Sequence, residues 1–563
     1  MATNDKDVLK TKVWLSDGTK FNFPEKVQQN TGICFIGGGT RALTGAMGAL
    51  RALTQLKLIK NIGYISCVSG GSWASTAYCY YKSGAENDAE FLGPITEPKD
   101  ITMDGLEILD ENCLGHTATT SLRHKLIELM PKVPEDELWL RAISEVYFEP
   151  FGIYSPAEPD QPDQPGQPTY FSLDEDTVKD IKKRNPILAD AVFNTVHIPE
   201  DPDNKRPFLI IDSTLIGPNE LALFSDETVV TFQYTPLYVG SPLYKDVTYH
   251  SQKHGDKTLP VGGGFIEPFA FGGPEPAQAP VKGTLTVPKP EKAFTLANAS
   301  GASSAAYSGF AEEIEIPTPI ERIAKLIKRI LHFSRGLKLK NLAPQELYWP
   351  VTEAADTAAK LFDYGDGAVI DNTGMCALLQ RKVKNIIVFL NTGTKLNLDF
   401  DPANPPKKGD VASDMSALFG YPFAATNENN QVFKQSDFTT VVGSLQDAKR
   451  KGETLITACD LEVQPNDWWG IEGNWTVKVC WIYLDRVPTW EEQLPKDIQK
   501  EIKKGNRHHF KHGKFRHFPN YKTVDENFLD LVELTPSQVN LLGHLCCWNV
   551  LHNADTIKDL LTA

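Results

Sequence analysis

The chain contains no uninterrupted apolar stretch long enough to span a bilayer, so no membrane-crossing helix is expected. It has no C-x-x-C pair. Its nine cysteines (34, 67, 79, 113, 376, 459, 480, 546 and 547) are odd in number and lie mostly in apolar runs, which argues against a secreted disulfide framework and for a reducing compartment. Positive charge is in deficit: 57 basic against 72 acidic residues leave a formal charge of −15, which argues against broad electrostatic binding to nucleic acid. There is no internal repeat. The first residues, Met1 to Asp7, have no apolar leader, Ala2 stands where myristoylation requires glycine, and the last residues, Leu560 to Ala563, carry no prenylation box. A cytoplasmic location is therefore the expectation.

The 563 residues include 41% hydrophobic positions, with 10 Trp, 28 Phe and 17 Tyr, ample for large cores. Length allows two to four average domains or one large α/β enzyme with insertions. Thr31 to Ile36 reads as an apolar strand entering Gly37-Gly38-Gly39, and Thr40 to Leu56 carries Leu43, Met47, Leu50 and Leu53 at helical spacing. Ile62 to Cys67 is a second short strand, and Ser72 to Tyr81 a helix, with Ser69 on the sharp turn between them. Strand, glycine turn, helix, strand, elbow and helix describe an α/β fold around a mostly parallel sheet. Roughly three hundred residues separate Ser69 from the next strong strand, Asn385 to Leu390, too many for an ordinary connection. A large cap or set of insertions within about 85–360 is expected, with 1–30 as an N-terminal extension and 31–563 as the main domain. Pro156, Pro159, Pro162, Pro165 and Pro168 recur every third residue and read as an extended surface linker. Pro274 to Pro290 and Pro402 to Pro406 read as loops.

A serine hydroxyl becomes a nucleophile when a base takes its proton, and acyl transfer through it needs donors aimed at the oxyanion. Ser69 is followed by Gly70 and Gly71, which allow strand and helix to approach at the elbow, although Cys67 stands where a G-x-S-x-G turn has glycine. The Gly37–Gly39 turn opens a helix and offers unobstructed amides. It lacks the Lys-Ser/Thr ending of a P-loop and the G-x-G-x-x-G spacing of a dinucleotide turn. Asp366, in a glycine turn of the run Phe362 to Gly374, is the candidate base, with Asp363 and Asp371 open as substitutes on sequence grounds.

The pattern G-G-G-x-R (Gly37–Arg41), S-G (Ser69–Gly70) and D-G-A followed by Asn372 resembles the patatin-like lipid acyl hydrolases, specifically the catalytic domain of cytosolic phospholipase A2 and fungal lysophospholipases. Further blocks are similar to that domain: Phe232–Gly240 with Gly264–Gly272, the small-residue helix Ser300–Ala306, Phe518–Tyr521, and the closing segment Leu541–Lys558. The likeness runs from about residue 31 to the C-terminus. It implies a three-layer core and a lipid acyl hydrolase that cleaves fatty acyl esters through a Ser-Asp dyad and a seryl acyl-enzyme. Carried over by residue, Ser69 is the nucleophile, Asp366 the base, Gly38 and Gly39 the oxyanion amides, and Arg41 the holder of a substrate phosphate. No metal or cofactor is implied. A free aspartate has a pKa near 3.9, so this reading requires burial to raise Asp366 and a close hydrogen bond to Ser69.

Better-known members dock through an added N-terminal calcium-dependent lipid-binding domain, for which the thirty residues before the first core strand leave no room. A different element is a candidate for peripheral membrane contact: residues 320–335 place Ile320, Ile323, Ile327, Ile330 and Leu331 on one helical face beside Arg322, Lys325, Lys328, Arg329 and Arg335. An ordinary surface helix with a packed apolar stripe fits the same pattern. The basic, aromatic stretch 503–517 contains His508, His509 and His512 and reads as a solvated loop. Three other functions share the sequence pattern: transfer of the acyl group to an alcohol, an α/β-hydrolase triad with His544 or His552 as base, and a non-catalytic lipid-binding protein on the same fold.

Overall fold

The computed structural model describes residues 8–17, 21–82, 88–155, 170–221, 227–250, 255–306, 343–353, 358–423, 425–505, 513–522 and 533–562. The proline repeat 156–168, the basic helix 320–335 and the histidines 508, 509 and 512 lie outside them.

Thirteen of the described strands build one mixed sheet, and the others form two separate two-stranded sheets. We label those used here β1 (Val8–Leu15), β2 (Thr31–Phe35), β3 (Tyr64–Cys67), β4 (Phe208–Pro218), β5 (Val230–Tyr234), β6 (Val239–Ser241), β7 (Gly264–Ile266), β8 (Gly283–Pro288), β9 (Gln345–Tyr348), β10 (Lys360–Asp366), β11 (Asn385–Leu390), β12 (Leu455–Val463) and β13 (Trp475–Tyr483). Their order is β8-β1-β7-β6-β5-β4-β3-β2-β11-β13-β12, with β10 pairing both β4 and β9. The central run β4-β3-β2-β11-β13 is parallel throughout. The flanks are antiparallel.

The parallel centre follows from its composition. Thr31–Phe35 is buried at every position, as expected for strands covered on both faces. Ile33 and Phe35 join a core with Ile387 and Phe389 on one face, and Cys34 and Ile36 join a second core with Ile386 and Val388 on the other. Two apolar cores separated by one sheet make three layers. Each fully buried aliphatic side chain contributes about 1.5–3 kcal/mol.

Helix α1 (Gly39–Gln55) is buried along nearly all its length because it is sandwiched between the sheet and the closing helix, Pro536–His552. The two helices approach at glycines: a Cβ on Gly48 would sit 2.5 Å from the Gly543 carbonyl oxygen. The closing segment is two helices, Pro536–His552 and Ala554–Thr562.

Two expectations need correcting. Part of the interval assigned to a cap belongs to the main sheet, since β4 pairs in parallel with β3, the strand that precedes Ser69. Residues 283–288, read as loop among prolines, form edge strand β8 against β1. There Leu285 and Val287 point inward and Thr284 and Thr286 outward, a two-residue alternation that flanking prolines concealed, and Pro288 is tolerated at the strand end on a sheet edge.

Candidate active site

The two proposed reacting side chains meet because of how β4 is shared. Strand β3 runs parallel to the first half of β4 and ends with Cys67 opposite Ile211. Strand β10 runs antiparallel to the second half and ends with Asp366 opposite Ser213. Strand β5 occupies the other edge of β4 from Ile211 to Leu215, so β3 and β10 share one edge and arrive head to head. Ser69, two residues beyond β3, faces the end of β10.

Ser69 has φ 51° and ψ −124°, a left-handed conformation that costs a non-glycine residue about 1–3 kcal/mol and is held only by its surroundings. Helix α2 (Gly70–Tyr80) begins immediately after it. The following glycines are required by close approach: a Cβ on Gly70 would lie 2.1 Å from the Gly39 carbonyl oxygen, and one on Gly71 would lie 2.3 Å from that of Phe35. Cys67 occupies the last position of β3 with its thiol buried against the Ile210 carbonyl at 3.3 Å. The departure from glycine at that position therefore falls in the sheet, where a small apolar side chain packs, and the turn is untouched.

Asp366 is 3% exposed. Its Oδ1 accepts the Ala368 N–H at 2.9 Å, and the Ser69 side chain lies close enough to its carboxylate to favour the charged form. Burial lifts its pKa to about 7; the Ala368 bond and the Ser69 side chain oppose that rise, and the neighbouring Asp414 charge adds to it. Of the candidate bases, Asp366 is the one that the strand pairing brings to the elbow. The other acids go elsewhere: Asp363 accepts from Gln345 at 2.8 Å, while Asp371 caps the turn at Thr373 and Cys376.

The glycine turn lies beside them. Gly38 and Gly39 have φ 135° and 58°, which favour glycine, and α1 starts at Gly39, so its dipole faces the elbow. The Gly37 N–H donates to Asn372 Oδ1 at 3.0 Å. Arg41 is buried, donating from Nε to the Asn391 carbonyl at 2.7 Å and from Nη1 to the Tyr521 carbonyl at 2.5 Å. Its Nη2 lies against the Gly38 backbone, where a Cβ would come within 2.5 Å. Burial brings its pKa down to about 10, opposed by Asp414.

Against known proteins, no family model matches the chain, and no curated sequence does. Solved structures resemble it only at long range. Human GIVD cytosolic phospholipase A2 is similar at a TM-score of 0.41 and 13% identity, over 94% of this chain and 60% of that one. The same human protein in complex with methyl gamma-linolenyl fluorophosphonate gives 0.40 and 13%, over 94% and 59%. VipD from Legionella pneumophila gives 0.15 and 13%, over 46% and 48%. The chain thus spans about three fifths of the length of the human enzyme it matches.

Two residues of the site were not assigned from sequence. Ser303, at the end of the small-residue helix Leu296–Ser303, accepts the Ser69 N–H on its Oγ at 3.0 Å and donates to the Asp212 carbonyl at 2.6 Å. The Ser303 and Ala305 carbonyls accept the Gly367 and Asp366 N–H groups, each at 3.3 Å. The small-residue block was visible as a resemblance; its bridging role had no sequence signal. Asp414, in the short helix Ser413–Ala417, had none either. The histidines considered as base are occupied elsewhere: His544 packs beside Arg51, with burial and that cation lowering its pKa to about 3, and His552 stacks on Trp548 at 4.2 Å. Among the described residues, no group of three or more His, Cys, Asp or Glu is arranged to hold a metal, and no helix is long and apolar enough to cross a membrane.

Proposed function

We propose that the protein is a serine-dependent carboxylic ester hydrolase of the phospholipase A2 or lysophospholipase type, working at a membrane surface from the cytoplasm. The observation that carries this is the strained elbow at Ser69 facing the end of β10, where the buried Asp366 stands; burial lifts the pKa of that carboxyl to about 7, a base matched to neutral pH. Ser69 Oγ attacks the acyl carbonyl as its proton passes to Asp366. The tetrahedral oxyanion is met by the amides of Gly38 and Gly39, and its collapse expels the alcohol, which takes the proton back from Asp366. Water then attacks the acyl-serine, Asp366 again accepting a proton, and the fatty acid leaves as Ser69 regains its hydrogen. Arg41, with Nη2 against the Gly38 backbone, is the residue we assign to a substrate phosphate.

The test is a mixed lipid extract incubated with wild type, Ser69→Ala and Asp366→Asn, analysed for released fatty acid and lysolipid, together with fluorophosphonate labelling of each protein. One label per wild-type molecule, and no turnover by either variant, is expected. Full activity in either variant, or lipid binding without turnover across phospholipids, lysolipids and neutral esters, overturns the assignment.

A further inference from the structure

The Gly37–Gly39 turn is built around an asparagine side chain. Asn372 Oδ1 accepts the Gly37 N–H at 3.0 Å, and its backbone carbonyl accepts the same N–H at 3.3 Å. The fit admits nothing larger than glycine: a Cβ on Gly37 would lie 2.2 Å from Asn372 Oδ1 and 3.0 Å from the Ser69 Cβ. Gly37 is therefore wedged between Asn372 and the nucleophile, and the orientation of the Asn372 amide sets where the turn sits.

An amide group can rotate by half a turn, which would bring its NH2 against the Gly37 N–H, donor against donor. What opposes that rotation is on the other side of the amide. Asn372 Nδ2 donates to Asp414 Oδ2 at 2.8 Å, and an ionised carboxylate accepts without donating. Asp414 thus favours the orientation that presents Oδ1 to Gly37.

Burial raises the pKa of Asp414, and the hydrogen bond from Asn372 opposes that rise.

We propose that Asp414 is a positioning residue of the reaction: through Asn372 it fixes the Gly37–Gly39 turn against Ser69. The proposal rests on the serine-esterase reading above, and deepens it by adding a second carboxylate that does not touch substrate.

The experiment measures the rate of fluorophosphonate labelling and the kcat and KM for a soluble short-chain aryl ester, from about pH 5 to pH 9, on full-length wild type, Ser69→Ala, Asp414→Asn and Asp414→Ala. In Asp414→Ala, kcat and labelling fall about tenfold or more, within the loss that follows a disturbed oxyanion donor, while KM is unchanged. Asp414→Asn keeps an acceptor for Asn372, so its rate stays within about threefold of wild type. Wild-type rates in both variants overturn the role of Asp414 and leave the serine reading standing. An unlabelled wild type overturns the serine reading and this proposal together. Should Asp414→Ala fail to fold, Asn372→Ala decides: an about tenfold loss of labelling with KM unchanged supports the proposal, and a wild-type rate overturns it.

Discussion

The backbone amide of Ser69 donates to the side chain of Ser303, 234 residues further along the chain, at 3.0 Å. The Ser303 hydroxyl donates in turn to the Asp212 carbonyl on β4 at 2.6 Å, and its backbone carbonyl accepts the Gly367 N–H next to Asp366. One small buried residue therefore ties the strained elbow to the strand on which β3 and β10 meet.

Ser303→Ala removes both side-chain bonds and leaves the Ser69 N–H and the Asp212 carbonyl without them. A loss of about 1–3 kcal/mol in stability is expected, with ester turnover reduced about tenfold as the elbow loosens and KM little changed. Thermal melts and steady-state kinetics on the purified variant check both. Ser303→Thr, which keeps the hydroxyl, restores more turnover than alanine if the bond is what matters.

Gly70→Ala places a methyl group 2.1 Å from the Gly39 carbonyl oxygen, a backbone atom that cannot swing aside as a side chain would. The elbow and the glycine turn must then separate. Fluorophosphonate labelling is expected to fall at least about a hundredfold, the scale of losing an oxyanion donor. Near-normal labelling would show that the two turns need not touch.

The pKa of Asp366 near 7, raised chiefly by burial, has opposite effects on activity and stability. Only the ionised carboxylate accepts the Ser69 proton, so kcat/KM rises with pH through about 7. The folded state, however, holds this proton up to about pH 7, whereas the unfolded chain releases it near 3.9, so this group's contribution to stability declines as pH rises between about 4 and 7. Asp366→Asn abolishes that decline. Its Tm is expected to exceed that of wild type by a margin that widens from about pH 5 to pH 8, measured by calorimetry. A margin that stays constant would show that the carboxyl titrates normally.

His544→Ala and His552→Ala are each expected to retain most of the ester-hydrolysing activity, because the end of β10 brings Asp366 to the elbow while the histidines sit beside Arg51 and Trp548. A loss beyond about a hundredfold in either, with folding intact, would replace the dyad by a triad.

What could be read from the sequence was what local chemistry forces. The glycine turn, the elbow and its two trailing glycines leave a compositional trace because backbone approach excludes side chains at those positions, and the central strands are apolar throughout because both faces are covered. Asp366 followed the same logic only with the resemblance; by itself, an Asp-Gly turn did not separate it from Asp363 or Asp371. Partners drawn from distant segments left no trace. Nothing around Asp414 marks it as reaching Asn372, and nothing in Arg41 announces that its guanidinium is bound by the carbonyls of Asn391 and Tyr521. The antiparallel flank was hidden for a related reason: β1 alternates as a strand should, but its neighbours β7 and β8 follow far downstream among glycines and prolines.

The head-to-head arrival of β3 and β10 on β4 also sets when the proposed pair is complete. During synthesis Ser69 emerges early, and Asp366 only after roughly three hundred further residues have left the ribosome, at several residues per second. On the esterase reading proposed above, Ser69 has no carboxylate to take its proton until β10 has docked, so a growing or prematurely ended chain does not hydrolyse esters.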